Sequence, residues 1–260
     1  MKKLLLGLAV VGSLANADFI GASVGAGLWQ ENIDGYVKSG DDTNYMNKKS
    51  AETDGNKHTG NLGLSDEVKP YVWAQIIHPI PLIPNVKAEY RQYDTSGTGI
   101  VVGSLNFFGS DINVAGVADT SITIDSYDAT FFYEFKSLLT AEFEIEAGFG
   151  INVLDGTTEV VIDKTNKTTT TWTAPIPYLY GRLATPTIGG FSVEAQAKYI
   201  DVGTAYYHDY QGAVKYHLPI PVIDVTLSAG FKTQEIYGED GDNSTLIKFK
   251  GGYAEVGARW

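Results

Sequence analysis

The chain has no cysteine and only two methionines in 260 residues. That excludes disulfide staples, thiol catalysis and thiolate metal sites. No apolar run reaches the ~20 residues that a membrane-crossing helix needs. Positive charge is scarce as well. The 19 basic residues face 31 acidic ones, a formal charge of −12, which argues against nucleic acid and anionic lipid headgroups as partners. Seven of the nine prolines stand in three tight groups, at 79–84, 175–177 and 219–221. No phosphate loop, nucleotide fingerprint or metal-ligand spacing occurs, and no cofactor is expected.

Residues 1–17 stand apart from the rest. Lys2 and Lys3 precede an apolar run at 4–11, and Ala15-Asn16-Ala17 has the small-x-small form of a cleavage site. The pattern predicts a secretory signal peptide removed before Asp18, and the run is too short for a membrane anchor. Residues 18–260 then form one unit with 17 basic and 31 acidic residues, a formal −14.

What is abundant is glycine (29), tyrosine (16) and alternation with a period of two, the mark of a strand with two unlike faces. Ile20, Ala22, Val24, Ala26 and Leu28 alternate with Gly21, Ser23, Gly25, Gly27 and Trp29. The small residues of the second set leave room for larger groups from other strands. Val86, Ala88 and Tyr90 oppose Lys87, Glu89 and Arg91, and Tyr127, Ala129, Phe131, Tyr133 and Phe135 oppose Asp128, Thr130, Phe132 and Glu134. The most regular stretch sets Ala141, Phe143, Ile145, Ala147, Phe149, Ile151 and Val153 against Glu142, Glu144, Glu146, Gly148, Gly150 and Asn152. A soluble core has no use for such a stripe opposite three successive glutamates, but a lipid-facing wall does. At the end, Gly252, Ala254, Val256, Ala258 and Trp260 share one face, and Tyr253, Glu255, Gly257 and Arg259 the other.

Ten strands emerge, at about 20–29, 68–78, 86–93, 127–135, 141–153, 172–183, 191–199, 210–218, 225–231 and 246–260. The prolines at 79–84 and 219–221 cannot donate ladder hydrogen bonds and mark short turns. The polar stretches 32–65, 99–120, 155–171 and 238–243 read as loops at the opposite end, with a tight reversal near 205–207. Ala174-Pro175-Ile176-Pro177 predicts a bulge or broken pairing inside strand six. The fold class is therefore all-β: a closed antiparallel up-and-down transmembrane β-barrel of about ten strands, with eight or twelve left open.

Several segments in order resemble one family. They are the first strand, Pro70-Tyr71-Val72-Trp73-Ala74, the turn from His78-Pro79-Ile80-Pro81 to Leu82-Ile83-Pro84-Asn85, Tyr93-Asp94-Thr95-Ser96-Gly97, Phe132-Tyr133-Glu134, and Ala174-Pro175-Ile176-Pro177-Tyr178-Leu179-Tyr180. Together they are similar to the uncharacterised outer-membrane β-barrel proteins of Gram-negative bacteria. The resemblance implies a monomeric, porin-like barrel in the cell outer membrane and no particular reaction. The end of the chain, with Val256, Ala258 and Trp260, resembles the assembly signal of such barrels, although Trp stands where Phe is commoner. Outer-membrane lipid, and the barrel assembly machinery during biogenesis, are the partners implied.

The inward carboxylates Glu142, Glu144 and Glu146 suit a cation or a cation-selective path. Ten strands leave little bore, however, because about eight are already filled by side chains. The preferred reading is a cross-lumen charge network. It joins Glu89, Asp128, Glu134, Glu142, Glu144, Glu146, Glu194 and Glu255 to Lys87, Arg91, Lys198, Lys215, Lys232 and Arg259. His208-Asp209, with His58 and Asp41-Asp42 in another loop, is a rim pair suited to activating water. The signatures that surround such pairs in outer-membrane hydrolases are absent, and no enzyme is expected. Three functions stay open: an occluded barrel with a structural or surface-interaction role, a narrow pore or transporter for small solutes or ions, and a rim hydrolase.

Overall fold

The computed structural model describes residues 21–54, 58–80, 82–108, 110–113, 115–136, 143–162, 166–221 and 223–260. The expected signal peptide and Glu142 lie outside them. The alternating segments grow into long strands, separated by short insertions. In order these are β1 (Gly21–Ser39), β2 (Asp42–Tyr45), α1 (Lys48–Asp54), β3 (Thr59–Asn61), β4 (Glu67–Ile77) and β5 (Asn85–Val101). There follow β6 (Ser104–Phe107), β7 (Ser110–Asn113), β8 (Gly116–Lys136), β9 (Glu144–Ile162) and β10 (Asn166–Ala184). The last four are β11 (Phe191–Asp201), β12 (Ala205–Leu218), β13 (Asp224–Asp240) and β14 (Asn243–Arg259).

Ten of these strands make one closed antiparallel barrel, β1-β4-β5-β8-β9-β10-β11-β12-β13-β14, with β14 returning to β1. At the closure Ala22 and Trp260 exchange two backbone hydrogen bonds of 3.1 and 3.2 Å. Val256 and Ala258 pair with Ala26 and Val24 in the same ladder. No helix among the described residues is long and apolar enough to cross a membrane.

Outward positions carry an exposed apolar band that runs all round, through Leu28, Tyr90, Tyr127, Phe149, Leu179, Val193, Val214, Phe231 and Val256. Aromatic pairs edge the band, with Tyr90 against Tyr127 (5.2 Å) toward the loops and Phe191 against Tyr216 (4.8 Å) toward the prolyl turns. The inner face is packed by pairing glycine with large rings. Gly25 faces Trp73, Gly27 faces Tyr71, Gly150 faces Tyr178 and Gly156 faces Trp172 across their ladders. In all four pairs the ring occupies the place a Cβ would take, which is how a narrow bore holds so many aromatics.

The four polar stretches are less loop-like than their composition predicts. β1 continues to Ser39, β9 to Ile162 and β13 to Asp240, while β10 begins at Asn166. Residues 40–54 and 58–66 then fold back over the mouth, carrying β2, α1 and β3, and β5 and β8 enclose the small hairpin β6–β7. Sparse inward apolar residues are what draw these segments in. Ile33, Val37, Met46, Leu62, Leu105, Phe107 and Ile112 are buried in one cluster with Trp29, Tyr93 and Phe249. The loop end is therefore capped by an apolar plug.

The expected bulge in strand six is absent. β10 keeps continuous register with β9 from Asn166 to Ala184, straight through Pro175 and Pro177. It tolerates them because its other edge pairs with β11 only from Leu179 to Ala184, so the missing N–H groups fall on an unpaired edge. Pro70 is accommodated likewise, since β4 meets β5 only from Tyr71 to Ile76. The reversal expected at 205–207 is displaced as well: Val202 donates to Ala205 in a turn just before β12, and Tyr207 is a buried inward residue of that strand.

The cap crosses β5 at two glycines. A Cβ on Gly97 would sit 1.8 Å from the Gly63 carbonyl oxygen, and one on Gly99 2.0 Å from that of Asn61. Gly97→Ala should therefore lift β3 and the segment after it off the wall. The expected outcome is faster amide hydrogen exchange at residues 59–64, with the β13–β14 ladder unchanged.

Candidate functional site

Inward side chains below the cap form a belt of charge. Arg91 (β5) reaches Glu89 Oε1 at 2.9 Å and Asp209 Oδ2 at 3.8 Å. Lys232 (β13) meets the same two carboxylates at 3.8 and 3.1 Å, and Lys198 (β11) lies 2.9 Å from Asp128 of β8. Three cations thus balance three anions, all buried. Rings and amides complete the layer. Arg91 and Lys232 each lie over the Trp29 ring, at 5.1 and 5.3 Å. Gln234 donates to Tyr207 and Asp209, and Tyr178 donates to Asp128. Burying a charge is costly unless it is paired, and these six groups meet one to one, with the buried Glu31 carboxyl as a further acid near Arg91 and Lys232.

Toward the prolyl turns the lumen opens into a vestibule of about 160 Å³. Its hub is Arg182 on β10. The guanidinium contacts Glu146 and Glu194 at 2.5 Å each and Glu144 at 3.3 Å, while Lys215 adds a second cation 2.7 Å from Glu194. Glu255 accepts from Tyr71 (2.9 Å) and Trp73 (2.8 Å). Lys87 lies 5.2 Å from the centre of the Trp73 ring. Glu134 and Arg259 line the vestibule without an ion pair among the described residues.

The fourteen residues expected in the lumen therefore divide. Glu89, Arg91, Asp128, Lys198 and Lys232 belong to the belt, whereas Lys87, Glu134, Glu144, Glu146, Glu194, Lys215, Glu255 and Arg259 line the vestibule. Glu142 is outside the described residues. Arg182, the hub, escapes the sequence reading. The bulge expected at Pro175 and Pro177 breaks the parity count before it reaches Gly181-Arg182. Counting straight through from Tyr178 and Tyr180 finds it.

His208 and Asp209 do not form a rim pair. Neighbours on a strand point to opposite faces, so Asp209 is sealed in the belt while His208 stacks outside between Tyr199 and Tyr206, 4.6 Å from each. His58 Nδ1 instead lies 3.1 Å from Asp42 in the cap. Among the described residues no group of three or more His, Cys, Asp or Glu side chains is placed to hold a metal ion.

Arg182→Ala should leave Glu146 and Glu194 buried with too little positive charge, at a cost of about 3–5 kcal/mol. Glu144 is mostly exposed, so Glu144→Gln should cost under about 1 kcal/mol. Urea unfolding midpoints of the two variants, compared with wild type, check the ranking. No protein-family model matches the chain, and a search of curated proteins found no match.

Proposed function

We propose that the chain is an integral outer-membrane β-barrel, closed to flow, that acts through the surfaces it presents. The observation that carries the reading is the exposed apolar band around a sheet whose last strand pairs back with its first. In water such a surface is costly, and in hydrocarbon that closure satisfies the backbone groups of the two strands that would otherwise be edges. The paired charges of the belt and the apolar plug support the second half of the proposal, since both fill the inside of the barrel with side chains. Outer-membrane lipid is then the barrel's surroundings, the assembly machinery its partner during insertion, and the monomer its working form.

A narrow pore is the competing reading, and one observation favours it: the vestibule is open, charged and lined by Lys87, Glu134 and Arg259, which have no ion-pair partner among the described residues. Planar-bilayer recording separates the two. The closed barrel predicts no steady conductance from wild-type protein. A steady current that loses its cation preference in Glu144→Gln/Glu146→Gln, with stability retained, would replace the closed barrel with a pore.

Two further outcomes test the setting. Ile145 faces outward on β9, and Ile145→Arg should cost about 2–4 kcal/mol in bilayer refolding. A cost near zero would mean that the band is not in lipid. Removing Trp260 deletes the last backbone pair of the closure with Ala22. The variant should accumulate outside the membrane and be degraded, as seen by fractionation and blotting.

A further inference from the structure

Three polar side chains from successive strands fall into line at the edge of the vestibule. Ser192 on β11, His217 on β12 and Asp224 on β13 all line that cavity. Ser192 Oγ lies 3.0 Å from His217 Nε2, and His217 Nδ1 lies 3.4 Å from Asp224 Oδ1. Ser192 is buried, whereas the side chains of His217 and Asp224 are 28% and 49% exposed. A carboxylate can only accept, so the second contact holds the ring proton on Nδ1. Nε2 is then the acceptor for the serine hydroxyl.

The local chain explains the alignment. The turn from Ile188 to Phe191 closes through Gly189 and Gly190, whose φ angles of 60° and 86° favour glycine. The Gly190 carbonyl accepts from the His217 backbone N–H at 2.7 Å. Ser192 pairs with Lys215, which makes His217 its diagonal neighbour on the same face. His217 pairs in turn with Thr226, and Asp224 is the next diagonal neighbour, two residues nearer the turn. Unlike His208 and Asp209, which the wall separates, these three groups share one face.

A hydroxyl, an imidazole and a carboxylate joined in this order through these two nitrogens are the parts of an activated serine, recognised by geometry and not by sequence position. Positive charge stands beside them. Lys215 lies directly across the ladder from Ser192, and Arg182 lines the same cavity. Negative charge that develops on a carbonyl oxygen next to Ser192 is stabilised by such cations.

We propose that the vestibule is a hydrolytic site for short-chain carboxylic esters. Ser192 is the nucleophile, His217 the general base, and Asp224 the residue that positions the imidazole. Ser192 Oγ adds to the acyl carbon as Nε2 takes its proton. The tetrahedral oxyanion collapses, the bond to the leaving alcohol oxygen breaks, and Nε2 returns the proton to that oxygen. A water then adds to the acyl-serine, its proton passing through Nε2 to Ser192 Oγ, and the carboxylic acid leaves. The cavity of about 160 Å³ and its polar walls of Thr185, Thr187, Gln196, Gln211 and Thr226 fit a short acyl group and not a fatty chain. Half-exposed Asp224 supports the imidazolium weakly, because water screens it, and that suits an ester better than an amide. The inference goes beyond the closed-barrel reading and is independent of it, since the vestibule opens toward the prolyl turns whether or not the lumen conducts.

The test treats the folded full-length barrel in detergent micelles with a fluorophosphonate and finds the labelled peptide by mass spectrometry. Heat-modifiable gel mobility checks that each variant is folded. The label is expected on Ser192. Hydrolysis of p-nitrophenyl acetate should fall about 10²-fold or more in Ser192→Ala and in His217→Gln. Asp224→Ala should lower kcat with KM unchanged, and Asp224→Glu should recover most of the loss. p-Nitrophenyl dodecanoate should be turned over far more slowly than the acetate. Folded wild-type protein that takes no label on Ser192 overturns the proposal, and so does a label or a rate that survives His217→Gln. An unchanged kcat in Asp224→Ala, or faster turnover of the dodecanoate, overturns it as well.

Discussion

The β1–β14 ladder is the interaction on which the rest of the structure depends. Without it a ten-stranded sheet would carry two long edges of unpaired N–H and C=O groups, each a template for aggregation and each intolerable in hydrocarbon. Closing that ladder sets the circumference, and the circumference sets the bore. With ten strands the bore is only slightly wider than side chains fill by themselves. Every inward residue is thereby committed to a packing problem, and the sequence answers it by placing glycine opposite tryptophan or tyrosine at four ladder positions.

The narrow bore also dictates the charge pattern. Fixed charges that would be solvated in a wide channel here sit in a layer one side chain thick, so each must meet its opposite directly. The belt solves this with equal numbers, Arg91, Lys198 and Lys232 against Glu89, Asp128 and Asp209, and with a ring under each of the three cations. The vestibule is wider and more open and tolerates imbalance. Glu144, Glu146 and Glu194 share Arg182 and Lys215, and Glu134 and Glu255 go without an ion pair among the described residues. The apolar plug needs no such compensation, which is why it can be assembled from chain insertions and not from the wall alone.

How much of this is legible in the sequence follows from what period two encodes. The ten strands, the outward apolar stripe of β9 and the inward parity of Glu89, Arg91, Asp128 and Lys232 are local properties of alternation, and they can be read from the sequence. The plug is not legible, because Ile33, Val37, Met46, Leu62 and Leu105 are scattered among polar residues. Only the closed mouth brings them together. His208-Asp209 shows the opposite error. Adjacency in sequence suggests a pair, yet on a strand it guarantees separation, and the wall stands between the two side chains. Arg182 is hidden behind two prolines that look like a break and are not one.

Those prolines have the same physical origin at both seams and opposite consequences. A proline in a barrel wall is tolerated only where one edge has no partner, so Pro70, Pro175 and Pro177 each mark a place where the circumference is incompletely hydrogen-bonded. At Pro70 the deficit is repaired from inside, by Ser65 and Leu64 bridging to Ser96 and Gly97. That repair requires the glycines at 97 and 99, which let a second backbone approach β5 within contact distance. β10 has no equivalent. At the corresponding height its inward residues are Trp172, Ala174 and Ile176, too large and too apolar to admit a crossing backbone.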